Sequence, residues 1–314
     1  TLVELLVVAS IFAMLFGMIA LGSRPNPRGQ VRLAAQQLAS LLLATQTRAL
    51  GSNAGAGLLF EPSGMGGRQC VTVYNANLPP YLEGTATGMP PATLSATTAT
   101  VTVTPTTGTA ADLQNGYRIQ FSKKGQNTQP AGAWMGFMPS STVTLRTLDG
   151  QTASNTIWPK PVGGGNMDVR VACYPTAGST ALSLPKGAAI DLQYSGGDNP
   201  NNAWGNLANK GFIGLVYDAL GGLDTLMQQV TSTPALRTIQ PCQPTGPFYL
   251  FVVSQAELNN LTASTLASDQ SLWVVVHPQT GRVTVSSNLP QTTASATTIN
   301  AARKNARNGV PIGK

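Results

Sequence analysis

The sequence predicts an α+β protein in which a long N-terminal α-helix, interrupted once, packs on a large β-rich C-terminal globular domain. Three observations predict it. Residues 1–22, TLVELLVVASIFAMLFGMIALG, are almost entirely apolar, and Glu4 is their single charged side chain. Residues 30–51 then place apolar side chains at steps of three and four, the period of a helix with one buried face. From residue 54 onward that period gives way to short runs rich in Val, Thr and aromatic residues, separated by Gly, Pro, Asn and Ser. The chain divides accordingly into a helical segment (1–53) with a break at 22–29, a β-rich head (54–290) and a basic C-terminal tail (291–314).

As a helix, residues 1–22 would reach roughly 30 Å, enough to cross the hydrocarbon layer of a bilayer. A secretory signal peptide would open on basic residues and close on a small-residue cleavage site; here the first basic residue is Arg24. A plain membrane anchor accounts for the apolarity and leaves Glu4 unexplained, because a carboxylate at membrane depth needs a partner. Its own segment supplies no cation.

Residues 1–8, TLVELLVV, resemble the N-terminus of mature type IV pilins and of type II secretion pseudopilins. In that family a prepilin peptidase removes a short basic leader, the new terminal residue is N-methylated, and the Glu carboxylate meets the terminal ammonium of a neighbouring subunit during assembly. The family places its Glu one position further from the mature terminus than Glu4 stands from Thr1, so the match implies a processed residue ahead of Thr1. The resemblance implies that Thr1, Leu2, Val3, Glu4, Leu5 and Leu6 form the assembly segment. An ion pair inside an apolar bundle is weakly screened, and removing one partner strands a charge at a cost of about 3–5 kcal/mol. The resemblance covers residues 1–53 and implies a pilin-like fold.

Gly22, Pro25 and Pro27 mark the helix break, since each Pro removes a backbone donor and disfavours helix in the residue before it. In assembled pili of the family a comparable stretch is melted and extended; an ordinary interhelical loop is the alternative. In the second helix, residues 30–51, Val31, Leu38, Leu41, Leu42 and Thr45 form the core face, and Gly51 with Asn53 is the stop signal.

Strands are expected at 57–60, 69–74, 100–104, 117–121, 142–146, 167–173, 190–194, 212–217, 248–253, 272–277 and 282–286. The clearest hairpin joins LWVVVH to RVTVS through Pro278-Gln-Thr-Gly281. Two further helices are expected at 220–230 and 255–267, the second capped by Ser254 with Glu257 three residues on. The Thr, Ala and Pro tract 85–109, the glycines at 163–165 and the Gly- and Asn-rich stretch 195–209 read as exposed loops. The head is one elaborated β domain or two modules that divide near 159–165.

Charged residues are only 10% of the chain, well below the usual quarter, and the net charge of +7 reflects few acids as much as many bases. Nucleic acid is therefore a weak expectation as partner, with Arg282, Arg303, Lys304 and Arg307 the candidate phosphate contacts. Three cysteines, Cys70, Cys173 and Cys242, allow one disulfide of undetermined pairing, or three buried thiols. No enzyme is expected: the lone His277 stands before Pro278, no G-x-S-x-G motif occurs, and the glycine run at 163–165 lacks the Lys of a phosphate loop. Asp198 with Asn199, Asn201 and Asn202 reads as a solvated turn rather than a Ca²⁺ loop. No cofactor or metal is expected.

The resemblance implies a structural subunit of an extracellular, type IV pilus-like filament at the cell surface. Its partners would be copies of itself, the inner membrane before assembly, and the pilus or secretion machinery including the peptidase. The alternative is a minor pilin or pseudopilin with a DNA-uptake, adhesion or secretion role.

Overall fold

A computed structural model describes residues 26–52, 55–87, 98–109, 111–123, 134–138, 143–146, 167–198, 204–230, 238–260 and 264–309. The assembly segment around Glu4, the break residues Gly22 and Pro25, and the expected module division at 159–165 lie outside them.

The architecture is α+β: an N-terminal helix packed on a large antiparallel β-rich domain. Helix α1 (Pro27–Leu50) starts three residues earlier than its periodicity implies, because Asn26 caps it. The Asn26 side chain accepts from the backbone N–H of Arg28 (3.1 Å) and Gly29 (3.4 Å). Pro27 therefore opens this helix rather than breaking it; its missing donor falls where a first-turn N–H has no partner anyway.

The main sheet contains β1 (Ala56–Ser63), β2 (Gln69–Asn77), β9 (Thr176–Ser183), β10 (Ala188–Gly196), β11 (Ile213–Tyr217), β12 (Leu223–Val230), β13 (Thr238–Cys242), β14 (Phe248–Ser254), β15 (Leu272–Val276) and β16 (Val283–Ser287). Its order is β13-β12-β11-β1-β2-β10-β14-β15-β16, all antiparallel. β9 continues the line of β10 along the same edge of β2, joined through Leu184 N–H to the Val71 carbonyl (2.9 Å). The remaining strands, β3 (Leu82–Thr87), β4 (Thr98–Pro105), β5 (Gly116–Lys123), β6 (Met135–Met138), β7 (Val143–Arg146) and β8 (Met167–Cys173), close into a separate barrel of order β3-β4-β7-β6-β5-β8. The barrel interrupts the sheet between β2 and β9, so the two β units are nested in sequence.

The centre of the sheet is apolar on both faces. Phe248, Leu250 and Val252 of β14 and Leu272, Val274 and Val276 of β15 pack toward α1, meeting its Val31, Ala34, Ala35, Leu38, Leu42 and Ala49. Tyr249, Phe251 and Val253, with Trp273 and Val275, point the other way, against Leu258, Leu266, and Ala302 and Ala306 of the C-terminal helix α3 (Ala296–Asn308). The barrel covers the same second face at β11–β13, through Tyr117 and Ala172 against Val216, Met227 and Ile239. Arg118 of β5 bolts it there. Its guanidinium lies 4.3 Å above the Trp134 ring, pairs with Asp224 at 2.5 Å and donates to Thr225.

A second buried polar lock sits in β10, where the register shifts between Asp191 and Gly196. Arg68 holds the Asp191 carboxylate with two bonds (3.1 and 2.8 Å), Thr265 donates to it (2.5 Å), and Gln193 N–H completes the set (3.0 Å). Ser195 bridges the bulge by donating to the Asp191 carbonyl and accepting from Phe251 N–H. The two-bonded Arg–carboxylate geometry fixes where the β1–β2 turn meets β10.

Several expectations are corrected. Residues 220–230 hold a strand, β12, and not a helix. The helix expected over 255–267 is reduced to α2 (Gln255–Asn259), followed by a 3-10 turn at Thr265–Ala267. Ser254 makes no side-chain cap there, and the Glu257 carboxylate instead accepts from the Ser268 hydroxyl at 2.8 Å. The tract 85–109 contributes to β3 and β4 rather than forming one long loop. Within the tail, residues 296–308 form a capped helix: Ser295 accepts from Thr298 N–H while the Thr298 hydroxyl accepts from Ser295 N–H. Of the two alternatives for the cysteines the structure has the second: all three are buried thiols outside any disulfide, and burial pushes the Cys70 thiol up to about 12.

Leu38 is fully buried between α1 and the sheet, whereas Leu33, on the same helix, is half exposed. Leu38→Ala is expected to cost about 2–5 kcal/mol and Leu33→Ala less than about 1. Urea denaturation of the two variants checks this; equal midpoints would mean that α1 does not pack as described.

Candidate functional site

The helix that follows the apolar segment, α1, presents two contrasting faces. Its inner face is committed to the sheet, and its C-terminal end is tied down. Near its start, Gly187 (φ +96°) lies against the end of the Gln30 side chain, which would have to move aside for a Cβ there. Near its end, the Gln46 amide donates to the carbonyls of Gly221 (3.0 Å) and Thr280 (2.8 Å), and Arg48 donates to Asn75 (3.0 Å). The Thr280 contact makes the β15–β16 turn part of the clamp. Gly281 (φ +62°) has to be glycine for two reasons: the left-handed backbone, and a Cβ that would strike Gln46 and the Gly221 carbonyl.

The outer face is unusual for one turned to water. Leu33, Gln36, Ser40, Leu43, Thr47 and Leu50 are all exposed and follow one another at alternating steps of three and four. Leu33, Leu43 and Leu50 are 48%, 44% and 57% exposed. From residue 33 to residue 47 no side chain is charged, and the helix has no acid anywhere; its charges are Arg28, Arg32 and Arg48 near the ends. A solvated helix face is normally charged. Short Ser, Ala and Thr side chains between leucines instead allow another helix to approach closely.

Of the residues singled out in the sequence, Val31, Leu38, Leu42 and Thr45 are buried on the inner face and Leu41 is half-buried. Ala34, Ala35 and Ala49 complete that face. Sequence reasoning misses the outer stripe, although its step of three and four stands beside the inner one.

The candidate phosphate contacts separate. Arg303 is 1% exposed and lies inside the protein. Its guanidinium donates to the carbonyls of Gly197, Tyr194 (2.6 Å) and Gly205 (2.8 Å), and sits 5.5 Å from the Tyr249 ring centre. Burial pushes its pKa down to about 10, still far above neutrality. It is a structural cation and is withdrawn from the phosphate set. Arg282, Lys304 and Arg307 are exposed, and Arg307 faces Asp198 at 3.9 Å. Asp198 also accepts from the Tyr249 hydroxyl at 2.7 Å. His277 titrates below its ordinary range because of partial burial, and then because of Arg282 and Arg307 nearby. Among the described residues no group of three or more His, Cys, Asp or Glu side chains is placed to hold a metal, and no helix is long and apolar enough to cross a membrane.

Compared with protein-family models, curated proteins and solved structures, the chain matches none.

Removing the Arg303 side chain leaves three carbonyls without their donor, so Arg303→Ala is expected to destabilise by about 3 kcal/mol or more. Arg307→Ala, at an exposed position, should change stability by less than about 0.5 kcal/mol. Chemical denaturation distinguishes them; similar small losses would return Arg303 to the surface.

Proposed function

We propose that this protein is a structural subunit of an extracellular filament of the type IV pilus kind, built by side-by-side packing of its N-terminal helices. The observation that carries the reading is the uncharged outer stripe of α1. It follows closely in sequence on the apolar segment with Glu4, and it is exposed in the isolated subunit. The pilin-like segment 1–8 supports the same reading, because a bundle of such segments would be apolar throughout and would need one acid–amine contact per subunit for register.

In this reading the sheet and barrel form the outer layer of the filament. The sparse charge of the chain allows copies to pack closely without strong mutual repulsion. Before assembly the apolar segment resides in the inner membrane, and a prepilin peptidase and the pilus or secretion machinery act on it. The reading involves no chemistry and no cofactor, and it does not call on DNA.

Electron microscopy of sheared surface filaments, with mass spectrometry of their dominant chain, tests the proposal; filaments made of this chain are expected, and surface material lacking it would overturn the reading. Two classes of variant refine it. Leu43→Lys places a cation in the outer stripe and should leave folding nearly unchanged while abolishing filaments; Glu4→Ala should reduce assembly with the head intact. Normal filament yield from both would separate the helix from assembly.

A further inference from the structure

Where the chain leaves the main sheet for the barrel and returns from it, a cleft of ≈ 730 Å³ opens between the two β units. Its size falls in the range of small-molecule sites, and such sites favour the junctions between structural units. Four aromatic residues line it: Tyr74 on β2, Tyr174 just after the barrel's last strand, Phe212 just before β11, and Phe60 of β1, which is also part of the core beneath α1. Tyr174 is held in place by stacking on Tyr117, with ring centres 5.7 Å apart and planes 11° from parallel.

The charges of this cleft run against those of the chain. The protein carries +7, yet among the described residues no Lys, Arg or His lines the cleft, and two carboxylates do, Glu61 and Asp112. Neither forms an ion pair among the described residues. Glu61 is oriented by the Tyr74 hydroxyl, which donates to it at 2.8 Å. Asp112 accepts from the backbone N–H (2.7 Å) and hydroxyl (2.8 Å) of Thr109, and these bonds hold its pKa below the usual carboxylate range. Two fixed anions beside aromatic faces, with no cation among the described lining residues, favour a positively charged group with an apolar body.

We infer that this cleft is a binding site for a small organic cation, an ammonium or amidinium carried on an aromatic or alicyclic body. The apolar body lies against Phe212 and Tyr174, and the positive group is placed between Glu61, Asp112 and the face of Tyr74. The inference is independent of the filament reading, since it concerns the junction of sheet and barrel and not α1.

Isothermal titration of the full chain in non-ionic detergent, against a matched detergent blank, tests it with benzyltrimethylammonium. Benzyl alcohol serves as the uncharged counterpart and benzenesulfonate as the anionic one. One saturable site per chain is expected for the cation, about tenfold weaker binding for the alcohol, and none for the sulfonate. Glu61→Gln, which keeps a side-chain acceptor for Tyr74, should weaken the cation several-fold and leave the alcohol unchanged, with an unaltered melting curve showing that the fold is retained. Absence of saturable binding, equal affinity for all three probes, or an unchanged cation affinity in Glu61→Gln would overturn the inference. So would saturation by an arginine-rich peptide but not by the small cation.

Discussion

The Ala and Leu stripe of α1, pressed on the middle of the sheet, is the contact on which the remaining layers depend. β14 and β15 are buried on both faces, their even and odd residues feeding two different cores. Such strands are stable only when each face is covered, because each buried side chain contributes roughly 1.5–3 kcal/mol relative to exposure. One face receives α1. The other is shared by the C-terminal helix and the barrel, which cover different strands of it. Small residues at Ala34, Ala35 and Ala49 let α1 lie close to the strands, and the Gln46 clamp sets how far along them it sits.

Two buried cations and one partly buried one fix the joints between layers. Arg118 joins barrel to sheet, Arg68 with Asp191 joins the β1–β2 turn to β10, and Arg303 joins the C-terminal helix to the chain that follows β10. Each would be costly if left unpartnered, and each meets oxygens or aromatic faces that hold one arrangement. In a chain with so few charges, placing these arginines inside leaves the exterior still less charged. In the proposed filament that exterior, and the uncharged stripe of α1 in particular, is what meets other copies.

Much of this fold is legible in the sequence. All eleven strands read from Val, Thr and aromatic runs are present, and 167–173 has the bounds expected of it. β12 reads wrongly as a helix because it too is covered on both sides: Leu226 packs toward α1 and Met227 toward the barrel, which erases the alternation that identifies a half-buried strand. β9 escapes for the opposite reason, since TAGSTALS is largely exposed and shows no apolar pattern at all. β13 contains Pro241, which argues against a central strand, and it is indeed the terminal strand of the sheet. The inner face of α1 can be read from spacing. Its outer stripe cannot be told from ordinary exposed leucines until the sheet shows which side is already occupied. Arg303 is unreadable because an arginine in a basic stretch looks solvated; only the returning carbonyls of Tyr194, Gly197 and Gly205 reveal its burial.

One side of α1 is held by the sheet, and in the proposed filament the other is held by neighbouring copies. Because Cys70, Cys173 and Cys242 are buried thiols, a cysteine introduced at position 43 reports the outer face against a quiet background. The most direct measurement compares maleimide labelling of Leu43→Cys in detergent-dispersed chain and in sheared surface material. Rapid labelling is expected when the chain is dispersed, and strong protection when it is assembled. Equal labelling in both states would contradict a helix held on both sides.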